Sequence, residues 1–219
     1  MTRLFVLCEG LSEKRFVKQV LVPYLWQHNQ LNVSASLLGK GTGGNVNHQT
    51  LFRDVPTRLR ADKNAYCTTL FDFYALRNDF VGKQASIRQA SFEKKHEQLC
   101  EAMKSYCVAT YPDIAARFIP YVQMYEFEAL LFSDPVSFGH ALNKPDLIPS
   151  LIAIRNKFAT PEEINDGEYT APSKRIQQLV PKYNKVIFGT LITEAIGLPT
   201  IRLECKLFNA WLTHLESLA

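Results

Sequence analysis

Acidic side chains stand at the ends of three apolar segments in the first 130 residues. They are Glu9, Asp72, Glu126 and Glu128. Two unit charges about 4 Å apart repel by roughly 4 kcal/mol at an effective dielectric near 20, so such a cluster needs protons or a cation to neutralise it. Without a histidine or cysteine motif, carboxylate oxygens favour Mg²⁺ or Mn²⁺ over zinc. We therefore expect these four acids to form a divalent-metal site, provided that their segments meet.

The segments that carry these acids have the composition of buried strands. The predicted strands are residues 3–8, 31–38, 66–73 and 117–125. Apolar residues at helical spacing predict helices between them, over 12–25, about 46–61 and 92–108. Strands that alternate with helices predict an α/β fold with a largely parallel sheet. Ligands of such sheets bind beyond the carboxyl ends of the strands, where these acids stand.

Two prolines should interrupt predicted elements, and one segment has no clear prediction. Pro23 lies inside the first helical pattern and should kink or split that helix. Pro120 lies inside the fourth strand, which indicates an edge strand or a bulge. No clear element is predicted for residues 74–90.

The pattern changes after about residue 134. Helical segments are predicted over 145–157, 173–181, 184–195 and 203–217, with prolines marking the turns between them. We found no internal repeat and no linker-like tract. We therefore expect a single domain over 1–219, in which residues 1–134 form the α/β core and 135–219 a mainly helical portion packed on it.

The charge distribution is compatible with a polyanionic ligand. The net charge is +4, but residues 1–70 carry nine basic and four acidic side chains, whereas 71–140 carry seven and nine. The glycine-rich loop 39–45 (GKGTGGN) resembles a phosphate cradle at a helix start, although it lacks the order of a P-loop. Lys40 in this loop is a candidate contact to nucleic acid. A flexible loop is the alternative.

A second basic motif follows Pro172. Ser173 is a candidate helix cap, and Lys174 and Arg175 then place two cations in the first turn, where they oppose the helix dipole. An anionic ligand or the carboxylate cluster would explain them, and a solvated helix end is the alternative. We take Lys174 as a candidate catalytic residue and Arg175 as a candidate nucleic-acid contact.

Several other classes of protein lack support in the sequence. The five cysteines are scattered and include no C-x-x-C pair, which favours reduced thiols over disulfides or zinc. There is no G-x-S-x-G and no H-E-x-x-H. No apolar run approaches the ~18 residues of a membrane helix, and the first residues lack a secretory layout. We therefore expect a cytoplasmic protein without a membrane partner.

Five stretches together resemble a known family. They are CEGLSEKRFV, TTLFDFY, PYVQMYEFEALLFSD, INDGEYTAPSKRI and IGLPTIRLECKLFNAWLTHLE. The strand that ends in Glu-Gly and the later strand that ends in Asp resemble the Toprim fold of topoisomerases, primases and overcoming-lysogenization-defect nucleases. More closely, the chain is similar to the Toprim-related family "domain of unknown function 4276" over about residues 5–217. The resemblance implies a Toprim-like, Rossmann-like sheet.

The resemblance also implies roles for the acids. In Toprim enzymes the first-strand Glu takes part in acid/base chemistry or metal coordination and later acids hold Mg²⁺, which assigns these roles to Glu9 and Asp72. The usual D-x-D pair is absent, because Phe73 and Tyr74 follow Asp72. Glu126 or Glu128 could replace the missing ligand. Related proteins act in bacterial anti-phage systems beside an AAA-type or ABC-type ATPase, which implies such a partner here.

Together, the residues and the resemblance predict a nuclease that depends on Mg²⁺ or Mn²⁺ and hydrolyses DNA or RNA. A catalytically degenerate Toprim-like module that docks on an ATPase is the alternative, and phosphotransfer on a small nucleotide is a third. A homo-oligomer is left open.

Overall fold

The computed structural model of the chain describes residues 1–39, 45–165 and 170–218. Within these ranges an open sheet of five strands has the order β2-β1-β3, and β4 and β5 both pair with the other side of β3. The strands are β1 (Arg3–Cys8), β2 (Asn32–Leu37), β3 (Ala65–Asp72), β4 (Phe118–Ile119) and β5 (Val122–Gln123). Every strand pairing is parallel. The predicted α/β class with a parallel, Rossmann-like sheet is therefore confirmed.

Helices flank this sheet and make up most of the chain after β5. They are α1 (Leu11–Phe16), α2 (Val22–Asn29), α3 (His48–Ala61), α4 (Lys83–Ile87), α5 (Phe92–Thr110), α6 (Pro135–Ala141), α7 (Ile148–Arg155), α8 (Pro172–Leu179), α9 (Lys185–Ile196), α10 (Leu198–Glu204) and α11 (Lys206–Glu216). The 3₁₀ turns are Phe73–Ala75, Ala115–Arg117, Phe127–Ser133, Pro145–Leu147 and Pro161–Glu163. The helical C-terminal portion is thus confirmed. The short helix α4 lies in the segment where no element was predicted.

The side chains of the central strand β1 alternate between the two faces of the sheet, and helices cover both faces. Leu4 and Val6 belong to one hydrophobic cluster, which α1, α2 and the C-terminal helices cover. Leu7 belongs to the other cluster, which α3 and α5 cover. On the first face, the Trp211 indole N–H donates to Thr68 Oγ1 at 2.9 Å and ties α11 to β3.

The interruption expected at Pro23 takes the form of a π-helical stretch, Val17–Leu21, between α1 and α2. Pro23 lies in the first turn of α2. A wider turn before a proline accommodates its ring and its missing N–H, so the chain continues as a helix on both sides.

The strand predicted over 117–125 is divided at Pro120 into β4 and β5. The register is unbroken, because Ile119 is paired with Thr68 and Val122 with Phe71. Thr69 fills the gap in the ladder: its hydroxyl donates to Tyr121 O at 2.7 Å and accepts from Tyr121 N–H at 2.9 Å. The proline thus removes ladder bonds without displacing the residues that follow it.

In the described part of the chain no single helix is long and apolar enough to cross a membrane, and α9 and α10, which pass only when combined, are bent by 88°. All five cysteines are free thiols, and four of them are buried.

Candidate acidic site at the carboxyl edge of the sheet

Glu9 and Asp72 meet where the strand order changes direction. The chain proceeds from β1 to β2 on one side and later to β3 on the other, so the carboxyl ends of β1 and β3 flank the switch point of the sheet. The Asp72 backbone N–H donates to Glu9 Oε2 at 3.1 Å. The convergence predicted for these two residues is therefore present.

The segment after β5 joins them through the Asp72 side chain. Asp72 Oδ1 accepts a hydrogen bond from the Phe127 N–H at 2.7 Å. This bond holds the start of the 3₁₀ turn Phe127–Ser133 against the end of β3. Glu128, in that turn, is only 2% exposed and lies close enough to Asp72 for its charge to raise the Asp72 pKa.

Two further ionisable residues belong to this site, and neither was predicted from the sequence. Glu13 on α1 is buried, and its Oε2 accepts from the Gly10 N–H at 3.0 Å. Lys185 begins α9, and its ammonium lies 3.3 Å from Glu128 Oε1 and 3.9 Å from Glu126 Oε1. We call Glu9, Glu13, Asp72, Glu128 and Lys185 the acidic site.

Burial and mutual repulsion raise the pKa values of its carboxyls. The pKa of Glu9 rises to about 7, first through burial and then through the charge of Glu13. Burial followed by the charge of Glu9 holds the pKa of Asp72 well above its usual range. The pKa of Glu128 also rises to about 7, chiefly through burial. At neutral pH, ionising these carboxyls therefore costs more free energy in the folded protein than in the unfolded chain.

Lys185 opposes this effect. Its own burial acts to lower its pKa, but the charges of Glu128 and Glu126 outweigh burial and raise it. The protonated ammonium in turn lowers the pKa of Glu128 and Glu9 relative to a site without it. Lys185 is thus a cation supplied by the chain to a surplus of carboxylates.

Glu126 has a different environment from the other acids. Its Oε2 accepts the Ser173 N–H at 2.7 Å, and its Oε1 accepts the Ser173 hydroxyl at 2.9 Å. Glu126 therefore caps the start of α8, where a negative charge is favourable. This contact brings the second basic motif next to the site through Ser173.

The two basic residues predicted after Pro172 have different environments. Lys174 is exposed, and among the described residues no carboxylate lies within ion-pair distance of it. Arg175 is buried, donates from Nε to Thr170 O at 2.6 Å and lies over the Phe158 ring. Lys40 and most of the glycine-rich loop fall outside the described residues.

The donor chemistry of the acidic site fits a hard divalent cation, because it offers several carboxylates with a surplus of negative charge. Its geometry is not preorganised: in ranges 1–39, 45–165 and 170–218, no three His, Cys, Asp or Glu side chains form a group that could hold a metal ion. Glu9, Asp72 and Glu128 could hold Mg²⁺ only after their side chains move from these positions. Lys185 supplies the compensating charge here.

Glu13 and Lys185 were not predicted, although the local sequence around each contains a signal for its position. Glu13 stands three residues after Gly10, at the position from which an acid bonds back to the start of a helix. Lys185 is a cation in the first turn of a helix, and the dipole argument that singled out Lys174 applies equally to it.

The fold and the site define a parallel α/β protein with a buried carboxylate cluster at its switch point. The sequence matches the family model described as "Domain of unknown function (DUF4276)" over residues 8–216. The chain therefore belongs to that family. No curated protein and no solved structure matches it significantly.

Proposed function

We propose that the protein is a divalent-metal-dependent phosphodiesterase that cuts DNA or RNA. The observation that carries this proposal is the convergence of Glu9, which is partly buried, with the buried carboxyls of Asp72 and Glu128 at the switch point of a parallel sheet. The pKa values of all three are raised, chiefly by burial. Carboxyls kept in such an arrangement disfavour the folded state, and perturbed pKa values concentrate at functional sites. A cytoplasmic anti-phage role beside an AAA-type or ABC-type ATPase is proposed from the Toprim resemblance.

Each residue of the acidic site has a role in this chemistry. Glu9 would act as a general base that takes a proton from the attacking water. Asp72 and Glu128 would hold the cation with it. When bound, Mg²⁺ would polarise the phosphate and stabilise the leaving oxygen. Lys185 is placed to neutralise charge on a phosphate once Glu128 turns to the cation.

One observation favours a second candidate function. Lys185 already pairs with Glu128 at 3.3 Å, so the acidic site carries a cation of its own. A site that stays in this state would not bind metal. The protein would then be a catalytically degenerate Toprim-like module that docks on an ATPase partner.

Thermal unfolding with and without millimolar Mg²⁺ or Mn²⁺ distinguishes the two functions. Metal that binds only the folded protein must raise the melting temperature, by roughly 3 to 6 °C when the free ion is tenfold above its Kd. We expect this rise in the wild type and its loss in Asp72→Asn. Without metal, Asp72→Asn should be the more stable protein, because the amide keeps an acceptor for Phe127 N–H and removes a repelling charge.

Asp79→Asn is the matched control, since Asp79 is exposed and pairs only with Arg77 in the described residues. It should respond to metal as the wild type does. No rise in the wild type would contradict the metal site and favour the docking module. Where the rise is found, Asp72→Ala should abolish cleavage of DNA and RNA by the protein mixed with its ATPase partner, and unchanged cleavage would refute the assignment.

A further inference from the structure

A surface pocket of about 360 Å³ opens beside the acidic site. Tyr74, two residues after Asp72, and Tyr125, one residue before Glu126, line it. Lys83, Lys95 and Ile87 also line this pocket. Its volume lies within the range of small-ligand pockets, and its lining combines apolar rings with a few cations.

Backbone hydrogen bonds attach this pocket to the acidic site. The Tyr74 N–H donates to Tyr125 O at 3.2 Å, and two residues away the Phe127 N–H donates to Asp72 Oδ1 at 2.7 Å. The same pair of segments, 72–74 and 125–127, thus carries both the acids and the rings.

Tyr74 presents an aromatic surface to the solvent. It is 43% exposed, although burial and the charges of Tyr125 and Glu126 still raise its pKa to about 12. Its hydroxyl donates to Asn165 Oδ1, and its ring lies 5.6 Å from that of Tyr125. The ring is therefore fixed in place while much of the residue remains accessible.

Tyr125 is held in a costly backbone conformation. Its φ of 62° lies in the left-handed region, which is unusual for a bulky residue and disfavoured on the order of 1 to 3 kcal/mol. Its ring packs against Phe73, with centroids 6.1 Å apart, and against Tyr74. The strained turn places this ring in the wall of the pocket.

The pocket also carries positive charge. Lys83 is nearly buried, and its ammonium lies over the Phe73 ring and donates to Phe73 O. Lys95 is half-buried on the neighbouring helix α5. In the part of the chain that the structure describes, neither lysine has a carboxylate within ion-pair distance. An anionic ligand would supply the missing charge.

We infer that this pocket holds an unpaired base of a single-stranded nucleic acid, stacked on Tyr74, with Lys95 near the backbone phosphate. Single strands are bound by such combinations of rings and cations, whereas the bases of a duplex are already stacked on one another. The inference rests on the proposed function, and it specifies that the acidic site acts on a single strand.

Fluorescence anisotropy in EDTA tests this inference without cleavage. The probes are labelled oligothymidylate, oligouridylate and a DNA duplex of equal length. We expect the wild type to bind a single strand more tightly than the duplex, and the first two probes show whether DNA or RNA is preferred. Tyr74→Ala should weaken single-strand binding roughly 5- to 150-fold, as removal of a stacking ring does, and Tyr74→Phe should retain most of it.

Two further variants sharpen the result. Lys95→Gln should reduce the slope of log affinity against log salt by about 0.7, the value for one lost phosphate contact on a single strand. Trp26→Ala removes an exposed ring on α2 and should bind as the wild type does.

Duplex binding as tight as single-strand binding, full affinity in Tyr74→Ala, or no binding of any probe would each overturn the inference. The binding and thermal-shift measurements together distinguish a failure of this inference from a failure of the proposed function. Single-strand binding that depends on Tyr74, without a thermal shift in metal, would refute the metal-dependent function and retain the pocket. A metal shift with binding independent of Tyr74 would do the reverse.

Discussion

Lys185 determines how much uncompensated charge the acidic site carries. Glu128 is buried beside it, and breaking a buried ion pair is strongly destabilising because one charge is left without compensation. The Lys185 side chain is 39% exposed, so solvent screens part of that effect. The residue therefore has two competing consequences, one for stability and one for metal affinity.

Lys185→Gln should separate these consequences. We expect the free energy of unfolding at about pH 8 in EDTA to fall by about 1 to 2 kcal/mol, because Glu128 loses its partner. The rise in melting temperature on adding Mg²⁺ should become larger than in the wild type, because a competing cation is gone. Urea unfolding and thermal unfolding measure the two effects.

Lys182→Gln is the control, since Lys182 is exposed in the turn just before α9. It should match the wild type in both measurements. A smaller response to Mg²⁺ in Lys185→Gln than in the wild type would mean that Lys185 helps to hold the cation's ligands rather than competing with it.

The predictability of the site differs from residue to residue. Glu9 and Asp72 were predicted because a strand end is visible in the local sequence and parallel strands share an edge. Glu13 and Lys185 lie on helices α1 and α9. The packing of these helices against the carboxyl edge of the sheet depends on contacts between segments that are distant in the sequence. The role of Ser173 as the partner of Glu126 has the same origin, since 47 residues separate them.

At the level of elements, the bridge between Thr69 and Tyr121 keeps β5 in register beyond Pro120. The Thr69 hydroxyl is buried and bonds both the N–H and the C=O of Tyr121, the residue after the proline. The bridge lies three residues before Asp72, and β5 leads directly into the segment that binds Asp72 Oδ1. The position of the acidic site thus depends on a hydroxyl group outside it.

Thr69→Val should lower the free energy of unfolding by about 1 to 3 kcal/mol, because the N–H and C=O of Tyr121 are left buried without partners. Thr69→Ser keeps the hydroxyl and should lose much less. Urea unfolding of the three proteins provides the comparison. Equal stability of the valine and serine variants would show that the hydroxyl does not bridge the strands.

The boundaries of the elements were predictable where one period or one turn signal dominates. β1, α3 and α5 lie close to their predicted ranges because each has a clear hydrophobic pattern, which in α3 continues past Pro56. The segment 203–217 was predicted as one helix, but it divides at Cys205 into α10 and α11. No glycine or proline marks this break. Glu162, which accepts from Leu207 N–H and Phe208 N–H, holds the start of α11 from elsewhere in the chain.

At the scale of the whole molecule, buried carboxyls with raised pKa values outnumber the groups that act against them. Glu9, Glu128 and Glu162 each have a pKa of about 7, raised chiefly by burial from a usual value of 4.5. Between these two pH values the folded state keeps protons that the unfolded state releases. Stability is therefore greatest below about pH 4.5 for these groups and falls as pH rises through about 7. His96, whose pKa burial lowers to about 4, acts in the opposite direction between about pH 4 and 6.5.

We therefore expect the free energy of unfolding, measured with urea in EDTA, to be larger near pH 5 than near pH 7.5, since the pKa values of five carboxyls are raised, Asp72 and Glu13 included, and one histidine opposes them. Glu162, which lies away from the acidic site, contributes on the order of 2 kcal/mol to the difference. Glu162→Gln should reduce the difference, because it removes one such titration away from the acidic site.

Glu97→Gln, which changes an exposed carboxyl on α5, should leave the pH dependence unaltered. Stability that is constant or that rises from about pH 5 to pH 7.5 would contradict the burial of these carboxyls in the folded state.

The division of the last strand at Pro120 also affects how copies of this protein meet. An edge strand with a free row of N–H and C=O groups is a template for fibril growth. Here that edge consists of two strands of two residues each, and the Lys104 ammonium on α5 donates to Phe118 O at 2.7 Å. A second copy finds no continuous ladder to extend along this side, so crowding should not drive the protein into amyloid from this edge.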